Sequence, residues 1–140
     1  MPKKKYKNPA LTVDGIIKIE ADKIVLIQRK NKPFKGKYAL PGGFVDYGEK
    51  VEHALKREMR EETNLEIEPT MLVGVYSDPD RDPRGHMVSV TFECKVVSGE
   101  LKAGDDASNE KVVSLDQIED MDLAFDHKEI LLDYISKIKK

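Results

Sequence analysis

The sequence has 140 residues, of which 39% are hydrophobic, so one folded domain is expected and an intrinsically disordered chain is excluded. Charged residues make up 36% with both signs interspersed, and the net charge of −2 argues against a nucleic-acid binder that relies on a basic surface. Cys94 is the single cysteine, which excludes an internal disulfide and favours a reducing, cytoplasmic location.

The chain begins with a basic segment and continues with two apolar ones. Residues 1–7, MPKKKYK, lack the apolar stretch of a signal peptide and predict a flexible tail. Leu11–Ile19 and Ile24–Ile27 predict two strands joined by a turn, and the IVLI run of the second is typical of a buried strand. No apolar run reaches the ~20 residues of a membrane helix, so no membrane contact is expected.

The middle of the chain predicts a loop and then a helix. Residues 31–37 contain proline and glycine and predict the loop, whereas the pattern turns helical from Glu49 to Thr63. Apolar residues recur every four positions and give that helix a narrow apolar stripe: Val51, Leu55 and Met59. Asn64 follows, and asparagine tolerates the left-handed conformation common at helix ends.

Three further strands are predicted in the second half of the chain. Met71–Tyr76 predicts the first, and the two prolines of Asp78–Gly85 predict an irregular loop after it. Val88–Val96 alternates apolar and polar residues and gives the clearest strand pattern of the chain. Gly99–Asn109 predicts a polar loop, and Lys111–Leu115 a short strand.

A closing helix is predicted after Asp126, which with Glu129 resembles a capping box. Its apolar face consists of Ile130, Leu131, Tyr134, Ile135 and Ile138. The order of strands, one helix, more strands and a final helix predicts an α/β domain over residues 1–140, with a mixed sheet packed against helices.

The central helix carries three carboxylates on one face. Glu61 and Glu62 follow Glu58 at three and four residues, which makes their side chains neighbours. Carboxylates this close repel one another, and a hard divalent cation such as Mg²⁺ would offset that repulsion. The alternative is an ordinary solvated helix face, because glutamate- and arginine-rich helix surfaces are common.

Two features favour the metal site. Gly42 and Gly43 lie just before the helix, where a bare backbone can approach a ligand closely and offer a carbonyl to a metal. Glu49 lies eight residues before Arg57, about two helical turns, and is placed to hold that arginine.

These residues resemble the Nudix hydrolase box, which here consists of Gly43, Glu49, Arg57-Glu58, Met59, Glu61-Glu62 and Leu65. Every charged position matches at the family's spacing. Asn64 stands where the family has glycine, and because asparagine also accepts a positive φ, little damage to the fold is expected. The resemblance implies the Nudix fold, a mixed β-sheet sandwiched between α-helices.

The resemblance also implies roles for individual residues. Glu58, Glu61 and Glu62 match the family's metal ligands, and the carbonyl of Gly42 matches a frequent extra ligand. Arg57 and Glu49 match the pair that orients the ligand helix, with Gly43 as structural support. The implied reaction is hydrolysis of a nucleoside diphosphate conjugate with Mg²⁺, for which Mn²⁺ is a possible substitute.

Two segments outside the box resemble the ADP-ribose pyrophosphatase branch, namely SDPDRDPRGH at Ser77–His86, which contains Pro79, and FDHKEIL at Phe125–Leu131. This implies ADP-ribose as substrate, AMP and ribose 5-phosphate as products, and a homodimer, for which Tyr6–Thr12 and Met87–Val97 are interface candidates. The phosphate-binding candidates are Arg29, Arg81, Arg84 and His86. For Arg81, Arg84 and His86 the alternative is an ordinary surface loop in which the charges of aspartate and arginine side chains neutralise each other.

The box does not fix the general base. Glu110 is the first candidate because it follows the polar loop, and Asp105 and Asp106 are its rivals. An exposed acidic loop is the alternative for each of them.

Two other functions remain open. One is hydrolysis of an oxidised nucleoside triphosphate, and the other is a non-catalytic nucleotide sensor. The intact box glutamates and the absence of room for a DNA-binding module argue against the sensor. His53 and His127 are expected to be ordinary surface or packing residues, and Cys94 a buried hydrophobe.

Overall fold

The computed structural model describes residues 7–101 and 110–139, which form seven strands, two α-helices and one 3₁₀ helix. The strands are β1 Ala10–Glu20, β2 Lys23–Gln28, β3 Tyr38–Ala39, β4 Gly42–Phe44, β5 Leu65–Tyr76, β6 Met87–Gly99 and β7 Glu110–Ser114. The helices are α1 Val51–Thr63, the 3₁₀ helix Leu115–Asp120 and α2 His127–Ile138. No helix in this part of the chain combines the length and apolar character needed to cross a membrane.

The strands form one mixed sheet with the order β3-β2-β1-β6-β5 along its main path. β1 pairs with β6 in parallel, whereas its pairings with β2 and β4 are antiparallel. β7 joins β2, and β5 joins β6, both antiparallel. In the β1–β4 pairing, Val13 is opposite Gly43, so the glycine backbone of β4 lies beside β1, the middle strand of that path.

The sheet buries apolar side chains on both faces, which explains the continuous IVLI run of β2. On one face, Leu55 and Met59 of α1 are fully buried against Val13, Ile17 and Val25. On the other face, α2 and the 3₁₀ helix form a second core with residues that include Ile16, Ile24, Leu26, Ile118, Ile130 and Tyr134. The predicted α/β fold, a mixed sheet between helices, is therefore confirmed.

Most predicted elements occur where the sequence places them. α1 ends at Thr63, and Asn64 takes the expected left-handed conformation with φ 65°. β6 spans the alternating segment, and Cys94 within it is fully buried, as predicted. The polar stretch before β3 and the stretch between β5 and β6 are irregular.

Some elements were missed by the sequence patterns. β5 begins at Leu65 rather than Met71, because Glu66, Glu68 and Pro69 conceal its first half. β5 lies at the edge of the sheet, where charged residues and proline are tolerated. β3 and β4 have two and three residues, which is too short for a periodic pattern.

The predicted capping box at Asp126 is wrong, although α2 begins at the expected place. The Asp126 side chain makes no cap hydrogen bond, and its carboxylate instead accepts hydrogen bonds of 2.8 and 2.6 Å from Arg81. A guanidinium is a charged, bidentate donor and therefore competes better for the carboxylate than a backbone amide does.

Candidate active site

The three box glutamates occupy the second half of α1 in different environments. The Glu58 side chain is 14% exposed, whereas that of Glu61 is 58% exposed. Glu62 lines a cavity next to β4. Glu58 and Glu62 therefore form the inner part of the acidic face, and Glu61 lies on its outer part.

Arg57 fastens this acidic face to the preceding loop. Its Nε and Nη2 donate to the two carboxylate oxygens of Glu49 at 2.8 and 2.9 Å. Nη1 donates to Glu58 at 2.8 Å, and Nη2 also donates to the carbonyl of Phe44 at 3.0 Å. The hydrogen bonds from Arg57 lower the pKa of Glu49 to about 2. The predicted contact between Glu49 and Arg57 is confirmed.

Two glycines bring the β4 backbone against the carboxylates. A Cβ on Gly43 would lie 2.3–2.5 Å from the carboxyl atoms of Glu58, and one on Gly42 would lie 2.3 Å from Asp14 Oδ1. Neither position can take a side chain without displacing these groups. The Gly42 N–H donates to Glu62 Oε1 at 2.8 Å, so the backbone already positions one carboxylate.

Burial makes the inner carboxylates costly to ionise. Burial raises the pKa of Glu62 to about 8, with the Gly42 amide opposing and the charges of Glu58 and Asp14 adding to the shift. Burial also raises the pKa of Glu58, although Arg57 opposes this. A divalent cation that prefers hard oxygen ligands would relieve both costs, so the donor set fits such an ion.

The carboxylates of the acidic face are not arranged as a complete metal-binding site in the described residues. No group of three or more acidic, histidine or cysteine side chains within 7–101 and 110–139 is arranged to hold an ion. Glu58 is bonded to Arg57, and Glu62 to Gly42. Metal binding by Glu58, Glu61 and Glu62 therefore stays a prediction, and Glu61 would have to turn inward to join the other two.

A cavity of about 160 Å³ opens beside Glu62. It is built from distant parts of the chain, and its lining includes Asp14, Arg29, Phe44, Arg84, Phe125 and His127. The cavity therefore places arginine side chains and the rings of Phe44 and Phe125 next to the acidic face of α1.

Arg29 and Arg84 contribute positive charge to this cavity. Arg29 Nε donates to the carbonyl of Pro33 at 2.7 Å, and burial followed by the charge of Arg84 lowers its pKa. Arg84 donates to the carboxylate of Asp82 at 3.1 and 2.8 Å. Both guanidinium carbons lie over the Phe125 ring, at 4.9 and 5.5 Å from its centroid. Two cations that repel each other at one cavity favour an anionic ligand.

The other two predicted phosphate-binding residues have different surroundings. Arg81 lines the cavity, but its side chain is 5% exposed and is paired with Asp126. This pair joins the loop before β6 to the start of α2. The His86 ring lies 2.9 Å from the Ser77 carbonyl and is not part of the cavity lining. Substrate contact by Arg81 or His86 stays a prediction.

Glu110 begins β7 and is paired with Ile27 of β2. Ile27 lines the cavity, whereas Glu110 itself does not. Glu110 Oε2 is buried without a hydrogen-bond partner among the described residues, and burial raises the pKa of this group to about 7. Such a group suits proton transfer. Asp105 and Asp106, its rivals, lie outside the described residues.

Sequence reasoning missed several residues of the cavity, and those with polar or aromatic side chains include Asp14, Phe44, Phe125 and His127. Asp14 is a carboxylate between apolar residues of β1, and that departure from pattern was the available signal. His127 is a buried packing residue, as expected, but it also lines the cavity. Phe125 has φ 56°, which is unusual for a bulky residue and typical of strained functional sites.

The family model of the NUDIX domain matches residues 9–134 of this chain. The ADP-ribose pyrophosphatase of Methanocaldococcus jannaschii is 55% identical over 130 residues, which cover 93% of this chain and 75% of the relative. The ADPR responsive transcriptional repressor of Acinetobacter baylyi is 33% identical over 138 residues, and the match covers 92% of this chain but 54% of the repressor.

Solved structures share the fold. The NUDIX domain of Shewanella oneidensis NrtR, in complex with ADP ribose, is 29% identical with a TM-score of 0.81 and coverage of 95% of this chain and 90% of that chain. A MutT/nudix family protein from Enterococcus faecalis is 33% identical with a TM-score of 0.81, covering 99% of this chain and 65% of that chain. The family match agrees with the resemblance to the Nudix hydrolase box noted in the sequence, and the chain belongs to the Nudix family.

Proposed function

We propose that this protein is a divalent-cation-dependent hydrolase that cleaves the diphosphate of ADP-ribose to AMP and ribose 5-phosphate. The observation that carries the proposal is the acidic face of α1 beside a cavity that holds Arg29 and Arg84. A cation on the acidic face and two guanidinium groups in the cavity would together share the charge of a diphosphate. The 55% identity to an ADP-ribose pyrophosphatase and the likeness to an ADP-ribose-bound NUDIX domain support this substrate.

Different residues of the chain would bind the cation and hold its ligands in position. Glu58 and Glu62 are the residues that would hold the cation, with Glu61 and the Gly42 carbonyl as further ligands. Mg²⁺ is the proposed ion and Mn²⁺ its substitute; when bound, it would polarise phosphoryl oxygens and lower the pKa of a bound water. Arg57 keeps Glu58 in place through the hydrogen bond of 2.8 Å.

Glu110 is the proposed acceptor of the proton from the attacking water. Its buried oxygen, which has no hydrogen-bond partner among the described residues, and its raised pKa support this role, and Glu110 is paired with the cavity-lining Ile27. Paired residues of adjacent strands have side chains on the same face of the sheet, so Glu110 lies on the face of Ile27.

A product assay tests the proposed function. Purified protein is incubated with ADP-ribose and Mg²⁺, and the products are separated by ion-exchange chromatography. We expect AMP and ribose 5-phosphate in equal amounts, no reaction with EDTA, and recovery when Mg²⁺ is added back. Release of pyrophosphate from an oxidised nucleoside triphosphate, with ADP-ribose left intact, would favour the triphosphate hydrolase. Binding of ADP-ribose without any product would favour the sensor.

We also propose a homodimer and a cytoplasmic location. Apolar side chains exposed on β5 and β6 support self-association, and they include Leu72, Val75 and Val97. Sedimentation velocity at micromolar concentration measures the mass, and a monomer would contradict the dimer.

Fractionation of the source cells, followed by immunodetection, checks the proposed cytoplasmic location.

A further inference from the structure

Asp14 is a carboxylate in the middle of β1 that borders the cavity. Its side chain is 10% exposed, so it is largely shielded from bulk water. Ser89 Oγ donates a hydrogen bond to Asp14 Oδ2, whereas Oδ1 accepts none from any described residue. Because Asp14 lines the cavity and this oxygen has a free acceptor position, a ligand in the cavity can donate a hydroxyl or amide hydrogen to it.

Two buried hydroxyl groups of β6 hold Asp14 in one orientation. Ser89 and Thr91 are both fully buried, and their hydroxyl oxygens are 3.0 Å apart. Thr91 is the residue directly paired with Asp14 across the parallel β1–β6 contact. A carboxylate supported in this way presents its second oxygen at a fixed place.

His127 supplies a donor beside that second oxygen. Its Nδ1 accepts the N–H of Leu40 at 3.0 Å, and burial lowers the pKa of the ring, so the neutral ring carries its proton on Nε2. Nε2 lies 3.8 Å from Asp14 Oδ1, which is too far for a direct hydrogen bond. One hydroxyl group between them could donate to Oδ1 and accept from Nε2.

This pair distinguishes a hydroxyl group from a phosphate. A phosphate oxygen can accept from Nε2, but it has no hydrogen for Oδ1 and is repelled by the carboxylate. We propose that Asp14 and His127 form a subsite for a sugar hydroxyl of the terminal group, and that Asp14 rejects a terminal phosphate there. The proposal rests on the proposed function, because it concerns the terminal sugar of the same substrate.

The test is calorimetric titration with ADP-ribose and, separately, with ATP, in the absence of divalent cations, so that no turnover is needed. Asp14→Asn removes the charge while keeping the shape of the side chain. We expect it to weaken ADP-ribose binding about 10-fold and to strengthen ATP binding severalfold. The matched control is Asp22→Asn in the exposed β1–β2 turn, which should leave both affinities unchanged.

Opposite changes for the two nucleotides support the subsite, because general damage to the cavity would weaken both. Equal changes, or none, would overturn it. Should Asp14→Asn not fold, as judged by thermal melting, Ser89→Ala removes the support of the carboxylate and should shift both affinities in the same two directions, by less.

The subsite and the proposed function can fail separately. Wild-type protein that binds ADP-ribose without hydrolysing it contradicts the proposed function and leaves the subsite to be judged by the variants. Wild-type protein that does not bind ADP-ribose contradicts both.

Discussion

The acidic face of α1 and the neighbouring cavity differ in the sign of their unbalanced groups. The face of α1 carries shielded carboxylates, and the cavity carries guanidinium groups. On α1, Glu58 and Glu62 are both shielded from water, and Arg57 pairs only with the first. In the cavity, Arg29 and Arg84 repel each other, and only the second has a carboxylate partner among the described residues. Each side thus keeps one ionisable group without an ion-pair partner in the described chain. A cation and an anionic diphosphate bound together would complete both sides, which is why neither half is expected to support hydrolysis alone.

The largest effect is expected from Glu62→Gln, which removes one carboxylate from the acidic face of α1. Loss of one buried ligand charge should lower kcat for ADP-ribose about a thousandfold, because the cation then stabilises less transition-state charge. Initial rates at saturating Mg²⁺ measure this. Glu66→Gln is the matched control, since Glu66 lies after the helix and is paired with Arg60. A Glu62→Gln variant with full activity would show that the site is misplaced.

Arg81→Met separates a folding role from a binding role on the cavity side. Removing one member of the Arg81–Asp126 pair leaves a buried carboxylate unpaired and should lower the free energy of unfolding by about 3 kcal/mol. Urea denaturation followed by circular dichroism measures the change, and replacing Asp126 with leucine as well should restore part of it. Unchanged stability together with a large rise in KM would instead make Arg81 a substrate ligand.

Glu110→Gln tests the proposed proton acceptor at the start of β7. We expect kcat to fall about 100-fold with little change in KM, because the variant binds substrate but cannot accept the proton. A base must be ionised, so the wild-type rate should rise with pH through about 7, the raised pKa of Glu110, and the variant should lose this rise. Unchanged turnover across the pH range would end the assignment.

Arg84→Ala is expected to have the smallest effect of the four. Its guanidinium is shared with Asp82, so loss of its contact with the diphosphate should raise KM about 10-fold and leave kcat nearly unchanged. Steady-state kinetics with ADP-ribose separates the two constants. Arg60→Ala removes an exposed arginine of α1 and serves as the control. A KM equal to that of wild type would remove Arg84 from the binding surface.

The acidic side could be predicted from the sequence because its contacts join residues of one short segment, although Glu49 lies in the loop before α1 rather than on the predicted helix. Glu49 and Arg57 are eight residues apart, and their contact is present at 2.8 Å. Asn64 ends the helix with a positive φ, as its residue type predicted. These features depend on the number of residues between positions of one short segment, and not on contacts with distant parts of the chain.

The cavity side could not be predicted in the same way, because its contacts join distant segments. Ser89 and Asp14 are 75 residues apart, and the Leu40–His127 hydrogen bond spans 87 residues. The wrong capping box has the same origin, since Asp126 is taken by a guanidinium 45 residues away. Only the strand order brings such residues together, and periodicity within one segment does not reveal it.

The most direct measurement is anomalous scattering from crystals of the Glu110→Gln variant grown with ADP-ribose and Mn²⁺. The account predicts Mn²⁺ in contact with Glu58 and Glu62, and the diphosphate between these ions and the guanidinium groups of Arg29 and Arg84. Mn²⁺ bound away from α1, or a diphosphate bound outside the cavity, would contradict it.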